Sequence, residues 1–211
     1  MDEQKKEQTT GAGTDSKTIL NEAPSSKKEK LKRRLSAKRL AFIAVFVALS
    51  YAVSFLEIPI FPATPYLKLD FSNAFILLVS FLLGPIEGIV ACILKEGLRA
   101  IGSSSGGVGE IANIAATTAY ILLPAVVYRF RKGLKAVIPC LLAACFIGTG
   151  AALLTNRFIT FPLYMGEGAA AVFAEVFWFI VAFNLIKTAA VSILTMLLYK
   201  RLSNFLKRMK I

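Results

Sequence analysis

Six apolar stretches follow one another along this chain from about residue 40, and they constrain its fold more than any other feature. They occupy residues 40–56, 71–83, 85–101, 111–128, 134–155 and 171–199. A helix needs about 20 residues to cross the hydrocarbon core of a bilayer, and about 17 can suffice. Backbone N–H and C=O groups in lipid must be paired within their own segment, which requires helices rather than open sheets. The pattern therefore predicts an all-α membrane protein with six transmembrane helices.

The distribution of basic residues predicts the orientation of these helices. The formal net charge is +12, and the Lys and Arg residues cluster before the first stretch, between the fourth and fifth, and after the sixth. The alternate connections, 57–70, 102–110 and 156–170, carry few of them. By the positive-inside rule, both termini are predicted to be cytoplasmic. Because every basic cluster adjoins an apolar stretch, membrane orientation explains them more simply than nucleic-acid binding does.

Composition divides the chain into three parts. Residues 1–37 are rich in Lys, Glu, Ser, Thr and Gly and have few large apolar side chains, so we expect a disordered or partly helical cytoplasmic tail. Residues 38–203 form the predicted membrane domain, which would bind the substrate. Residues 204–211 form a short basic tail that we also place in the cytoplasm.

Asn184 and Lys187 interrupt the sixth apolar stretch and are the strongest candidates for binding residues. Three residues apart, they lie on one face of a helix. A lysine near the bilayer centre costs about 2.5–3.5 kcal/mol on insertion scales and is usually paired or functional. The pair could grip a ligand rich in carbonyls and hydroxyls. The alternatives are a snorkelling lysine and a salt bridge to a distant carboxylate.

The third stretch also carries charges. Lys95, Glu96 and Arg99 have spacings that allow pairing within the helix, notably between Glu96 and Arg99, and contact with a substrate is the alternative. Two connections on the predicted outer face are unusual as well. Three prolines in 57–70 are expected to stiffen that segment against helix or strand. The Gly/Ser-rich segment 102–110 lets bare backbone approach a ligand. Together they favour a lidded outer site over ordinary connectors.

Several sequence motifs are absent, and their absence restricts the function. The chain has no phosphate-binding loop that would let it use ATP by itself, no metal-binding spacing and no nucleophile elbow. The first stretch has alanines every four residues, at Ala44, Ala48 and Ala52. Small residues at this spacing allow close approach of another helix in lipid, either from a partner subunit or from the same bundle.

These residues resemble the substrate-binding S components of energy-coupling factor (ECF) transporters, and among them the riboflavin-specific RibU group. The resemblance covers about residues 38–202. It depends on PYLKLDFS at 65–72, Gly84-Pro85 with Gly88, GGVGEIAN at 106–113, FNLIK at 183–187 and LYKRLS at 198–203. The order of these motifs is specific, although each motif alone is weak.

The resemblance implies a function and a set of partners. The chain would bind riboflavin, as a transported ligand rather than a cofactor, in a bacterial plasma membrane. A transmembrane coupling subunit (T component) and two ABC ATPases would complete the transporter. The alternatives are an S component for another vitamin, a stand-alone secondary transporter and, less favoured, a membrane enzyme.

The resemblance also implies roles for individual residues. Asn184 and Lys187 would contact the flavin, and the Glu57 carboxylate at the exit of the first helix would reach the ligand. Lys95 and Asn113 complete the predicted riboflavin-binding set. The Ala44, Ala48 and Ala52 stripe would dock on the coupling subunit.

Overall fold

The computed structural model describes residues 27–103, 106–131 and 134–209, with side chains described for 36–103, 106–131 and 135–201. Residues 1–26 of the predicted tail lie outside the described residues, and residues 27–37 are helical. The described chain is almost entirely helical. Its α-helices are α1 Lys27–Val53, α2 Asn73–Leu82, α3 Pro85–Ile101, α4 Val108–Phe130, α5 Leu134–Thr155, α6 Phe161–Met165 and α7 Ala169–Met209.

Three of the connections differ from their predicted form. The 57–70 connection contains two short antiparallel strands, β1 Ile58–Pro59 and β2 Lys68–Leu69, so the expectation that its prolines exclude strand was wrong. Proline lacks only the N–H donor and is tolerated on an edge strand. The 156–170 connection is helical, because a π-helical turn, Asn156–Thr160, leads into α6 and a 3-10 turn, Gly166–Gly168, leads into α7. The Gly/Ser-rich connection is shorter than expected, since α4 begins at Val108.

A tight turn joins α2 to α3. Gly84 has a φ of 139°, which side-chain-bearing residues rarely adopt, and Pro85 takes the first helical position, where no N–H is needed. A Cβ atom on Gly88 would overlap the Ser80 hydroxyl. The two helices therefore pack closely enough that α3 can direct its polar residues towards the centre of the bundle.

Apolar side chains from six helices form the main core. Its buried members include Phe46 on α1, Leu77 on α2, Cys92 on α3, Ile121 on α4 and Val191 on α7. Cys92 and Cys145 are buried and free, as expected for packing residues. A smaller cluster of Phe161, Ala169 and Ile180 lies where α6 meets α7.

The outer surface is apolar, as a lipid-facing surface must be. Large side chains exposed on α5 and α7 include Leu142, Phe146, Trp178, Ile193 and Leu197. Among the described residues, three helical stretches are long and apolar enough to cross a membrane: Ser36–Val53, Val108–Phe130 and Lys135–Arg201. The all-α membrane fold is thus confirmed, whereas six crossings and cytoplasmic termini stay predictions.

Candidate functional site

A cavity of about 600 Å³ opens at the end of the bundle where the 57–70 connection, Ser103 and the 156–168 connection meet. This volume falls within the range of roughly 300–1,000 Å³ that is typical of small-molecule sites. Both connections that the sequence placed on one outer face contribute to the wall, through Glu57 and Ser103 among others. The cavity is therefore a candidate binding site for a small molecule.

The wall combines aromatic surface with a few amide groups. The aromatic side chains are Tyr66, Phe161, Tyr164 and Phe183. The amides are Asn113, Asn156 and Asn184, which come from three different segments. Aromatic faces stack on flat ring systems, and amides can both donate and accept hydrogen bonds. A flat, largely apolar ligand with polar groups at its edges matches this wall.

Asn184 lies in the wall of the cavity, as the sequence led us to expect of a binding residue. Its Nδ2 donates to the Ile180 carbonyl at 2.9 Å, and the Thr188 hydroxyl donates to the Asn184 main-chain carbonyl at 2.7 Å. These bonds fix the amide on α7. No described residue donates to Asn184 Oδ1, which leaves this oxygen as an acceptor for a ligand.

Lys187 lies one turn farther along α7, and its surroundings differ from those of Asn184. Its Nζ is 3.3 Å from Asp70 Oδ2 and donates to Asn113 Oδ1 at 3.0 Å. It lines only a narrow space of about 20 Å³ beside Asn113 and Asn184, not the main cavity. The salt bridge to a distant carboxylate, one of the alternatives drawn from the sequence, is therefore present. The ammonium group lies beneath the cavity wall.

Asn113 connects α7 to α3. It accepts from Lys187 and donates from Nδ2 to Glu96 Oε1 at 2.7 Å, while its side chain lines the cavity. Glu96 Oε1 also accepts from Lys95 Nζ at 2.6 Å. A continuous polar chain therefore runs from α7 through α4 to α3.

The charges of α3 pair differently from the expectation drawn from their spacing. Pairing within the helix is present, but between Lys95 and Glu96; the Glu96–Arg99 pair that the spacing allowed does not form, because Glu96 faces Lys95 and Asn113. Lys95 and Glu96 are both 0% exposed, and Lys95 does not line the cavity. Arg99 pairs with Glu57 instead. Glu96 and Arg99 are three residues apart on one helix face but have different partners, so this one helix contributes to two polar groups.

Glu57 lies at the mouth of the cavity between two cations. Its carboxylate is 2.8 Å from Lys68 Nζ on β2 and forms an ion pair with Arg99. Arg99 also lies 3.9 Å from Glu110 Oε1 in the first turn of α4 and donates to the Ser54 carbonyl at the end of α1. The mouth is thus bounded by a network that ties the 57–70 connection to α1, α3 and α4.

Asp70 is the important site residue that the sequence reasoning did not single out. It lies in the wall just before α2, accepts from the Ser72 N–H at 2.9 Å and faces Lys187. Burial alone would raise the pKa of the Asp70 carboxyl, but the Lys187 and Lys95 ammonium groups and the Ser72 hydrogen bonds hold it below its usual range. The sequence signal that could have identified Asp70 as a site residue was its position immediately before an apolar stretch.

The predicted docking stripe on α1 faces outward. Ala44, Ala48 and Ala52 are exposed, whereas Ile43 and Val47 turn into the core. Contact with the described part of the bundle therefore does not account for the alanine spacing. The small side chains on this face would let another helix approach the α1 backbone closely.

Comparisons with known proteins agree on one family. Residues 38–199 match the family described as "ECF transporter, substrate-specific component". The chain is 34% identical over 176 residues to the riboflavin transporter RibU of Staphylococcus aureus (strain TCH60), covering 81% of this chain and 93% of that protein. It is 26% identical over 186 residues to the riboflavin transporter FmnP of Bacillus subtilis (strain 168), covering 83% and 97%.

A solved structure gives the same result at the level of the fold. It is described as the S component of a bacterial ECF transporter, and it superposes with a TM-score of 0.72 at 34% identity. The match covers 82% of this chain and 99% of that one.

Proposed function

The chain belongs to the family of ECF transporter substrate-specific components, and on that premise we propose that it captures riboflavin outside a bacterial cell for ATP-driven uptake. As a member of this family it is an integral protein of the plasma membrane and the substrate-binding part of a transporter. Two relatives that match most of its length are named riboflavin transporters. Riboflavin is then the cargo of the site, and the chain needs neither a resident cofactor nor enzymatic activity of its own.

The cavity is the observation that carries this proposal. Riboflavin has a flat, largely apolar ring system with carbonyls and one ring N–H along one edge, and a ribityl chain of hydroxyls attached to the ring. The aromatic side chains around the cavity suit the ring, and the three wall amides suit its polar groups. A volume of about 600 Å³ accommodates both parts of the ligand.

The candidate residues then divide into two roles. Asn184 and Asn113 contact the flavin directly, because both side chains line the cavity. Glu57 lies at the mouth, within reach of ribityl hydroxyls. Lys187 and Lys95 act from behind the wall, where they hold Asp70, Asn113 and Glu96 in place. This assignment gives the lysines a positioning role.

The proposal includes a partner for the energy-requiring step. The helices α1 to α5 and α7 cross the membrane with both termini in the cytoplasm. A transmembrane coupling subunit packs against the outward alanines of α1, and two ABC ATPases bound to that subunit supply the energy. The exposure of Ala44, Ala48 and Ala52 supports this arrangement.

Binding by the purified chain tests the proposal. Aromatic side chains in contact with the ring should quench flavin fluorescence, so titration of riboflavin with protein should give a saturable loss of signal. Pantothenate and thiamine, as ligands of the alternative S components, should not compete. Saturable binding of another vitamin without riboflavin binding would contradict the proposal. Uptake in cells that lack the coupling module would instead indicate a stand-alone transporter.

A further inference from the structure

Five basic side chains lie at the end of the bundle opposite the cavity. All five are exposed and come from the end of α4, the start of α5 and the second half of α7: Arg129, Arg131, Lys135, Lys200 and Arg201. Arg129 lies about 24 Å along α4 from Asn113 in the cavity wall, and Lys200 lies as far along α7 from Asn184. This group of cations is therefore separate from the riboflavin site.

These cations have no carboxylate partner among the described residues. The described carboxylate at their end of the bundle is Glu87, which lies 4.0 Å from Arg39 on α1. The other carboxylates of the described part line the cavity or, like Glu167 and Glu175, lie around the start of α7. The positive charge at this end is thus left for a group outside the described part of the chain.

The ends of α4 and α7 are in direct contact. The Tyr128 and Tyr199 hydroxyls form a hydrogen bond, and the two rings lie edge to face with their centroids 5.6 Å apart. Arg129 and Lys200 directly follow these tyrosines in the sequence. The cations of the two helices are therefore neighbours on the outside of a half-buried aromatic contact.

The start of α5 lies at the same level. α5 follows α4 after a short connection, which makes the two helices antiparallel neighbours. Farther along, Cys145 Sγ on α5 is 3.9 Å from Ser192 Oγ on α7. From this contact, Lys135 lies about 15 Å along α5 and Arg201 lies about 14 Å along α7. Cations from three helices therefore meet at one place.

Each of the three helices also has an exposed apolar side chain next to its cation, on the side towards the membrane centre. The two members of each pair are three residues apart and so lie on one helix face. The pairs are Val126 with Arg129, Ile138 with Lys135, and Leu197 with Lys200. A cation with apolar surface directly beside it matches a ligand that has an anionic head and an apolar tail.

We infer that the ends of α4, α5 and α7 form a binding site for an anionic phospholipid. The exposed cations hold the phosphodiester of the headgroup, and an acyl chain lies along the apolar side chains beside them. Guanidinium groups bind phosphate oxygens with two parallel hydrogen bonds, and basic surfaces between transmembrane helices recognise anionic headgroups. The lipid would hold three helices together at the end of the bundle that the polar network of the cavity does not reach.

The apolar side chains favour a lipid over a soluble phosphate. Exposed, solvated cations alone hold a soluble anion weakly. A phospholipid brings its phosphate to the depth at which the helices leave the hydrocarbon. Its acyl chain then gains van der Waals contacts with side chains such as Leu197, which is 66% exposed.

Fluorescence quenching by brominated lipids tests the inference with the full chain in vesicles. Trp178, the single tryptophan of the chain, is exposed on α7 near the cavity end, with the exposed Glu175 one turn away. Trp178→Phe combined with Leu197→Trp moves the fluorescent reporter to the proposed site. Each reporter is quenched in turn by brominated phosphatidylglycerol, which is anionic, and by brominated phosphatidylcholine, which has no net charge.

We expect phosphatidylglycerol to be favoured at least about 5-fold beside position 197, because one cation near a membrane surface contributes about this factor. Beside Trp178 the preference should stay below about 2-fold, since the exposed charge one turn away is negative. The absence of a preference at position 197, or an equal preference at both positions, would overturn the inference. Riboflavin plays no part in this test, so its result is independent of the proposed function.

Two variants in the position-197 reporter chain distinguish a site from a diffuse surface charge. Arg129→Gln with Lys200→Gln removes two of the cations, and the preference should fall below about 2-fold. Arg39→Gln is the matched control, because it removes a cation at the same end that already faces Glu87. It should leave the preference unchanged, and an equal loss in the control would refute a localised site.

Two other occupants of this surface are outcomes of the same experiment. Loss of the preference in millimolar inorganic phosphate at constant ionic strength would assign the cations to a soluble anion. An unchanged preference in the double variant, together with loss of the coupling subunit from the purified complex, would assign them to a protein contact. Either result overturns the inference.

Salt replaces the double variant if that variant does not fold. Raising the ionic strength from about 0.01 M to about 1 M shortens the Debye length from about 30 Å to about 3 Å. The preference beside position 197 should then fall below about 2-fold, as screening predicts. A preference that persists at high salt would show that the cations are not its cause.

Discussion

At the scale of residues, the central feature is a network of buried and half-buried polar groups inside an apolar bundle. It consists of Lys95, Glu96, Asn113, Lys187 and Asp70. Removing one partner of a buried ion pair typically costs about 3–5 kcal/mol, because the remaining charge has lost its compensation. This polar network therefore fixes the relative positions of α3, α4 and α7, and it holds the wall amides in one orientation. A rigid wall loses little freedom when a ligand binds.

Asn184→Ala is the residue-scale test of the cavity. This variant removes Asn184 Oδ1, the hydrogen-bond acceptor in the cavity wall. The ligand donor that binds this oxygen would lose its partner, so riboflavin binding should weaken by about 1–3 kcal/mol. Lys187 and its partners are untouched, and the protein should remain monodisperse. Titration by flavin fluorescence measures the affinity.

Leu197→Ala is the matched control for this measurement. It truncates an exposed side chain on the same helix, far along α7 from the cavity. Unchanged riboflavin affinity in a folded Asn184→Ala, Lys187→Ala double variant would remove both residues from the proposed site.

The sequence showed part of this residue pattern and not the rest. The spacing of Asn184 and Lys187 placed them on one helix face, and their position deep within an apolar stretch marked them as candidate binding residues. Their division into a wall residue and a residue behind the wall depends on Asp70 and Asn113, which are far away in the sequence. Local spacing carries no information on such contacts, and for the same reason it suggested the wrong partner for Glu96.

At the scale of elements, α1 has two faces with different roles. One face contributes Ile43, Phe46 and Val47 to the core, while the alanine face points outward. In lipid, helix association depends on close van der Waals packing, which small residues permit. The fold therefore keeps this surface available for a second protein while the cavity lies at one end of the bundle.

Ala44→Trp and Ala48→Trp test the use of that face. A large ring would hold a partner helix away and remove the contacts that drive association. Because both alanines are exposed and lie outside the cavity, riboflavin binding should persist while ATP-driven uptake falls to background. Vesicles that contain the coupling subunit and ATPases allow uptake to be compared with binding in detergent.

Ala143→Trp supplies the control for these variants. It places the same ring on an exposed position of α5, outside the alanine stripe, and should leave transport intact. If the α1 variants lose binding as well as transport, the stripe supports the fold itself. Full retention of transport would exclude it as the docking surface.

The elements themselves were largely predictable, and the connections were not. Six apolar stretches correspond to α1 to α5 and α7, because the need to pair backbone groups in lipid leaves few alternatives. The strands of the 57–70 connection depend on contact between Ile58 and Leu69 across the loop. The helical form of 156–170 depends on packing of Phe161 and Ala169 against Ile180. Neither contact has a local sequence signature.

At the scale of the whole molecule, the asymmetry of charge predicts a single orientation. The cavity end carries few basic residues, while the opposite connections contain most of them. Alkaline phosphatase, which is active only outside the cytoplasm, should be active when fused after Glu167 and inactive when fused after Arg131 or Ser203. A green fluorescent protein reporter should give the reverse pattern. Activity after Ser203 would contradict cytoplasmic termini and an even number of crossings.

The length of α7 has a mechanical consequence. Asn184 and the end of the helix at Met209 belong to one uninterrupted rod. At 1.5 Å per residue, about 38 Å separate them. If such a rod tilts by about 10° around the level of Asn184, its far end travels about 7 Å, more than the pitch of one helical turn. A small angular adjustment at the ligand is thus amplified into a displacement that a protein at the opposite membrane surface can sense.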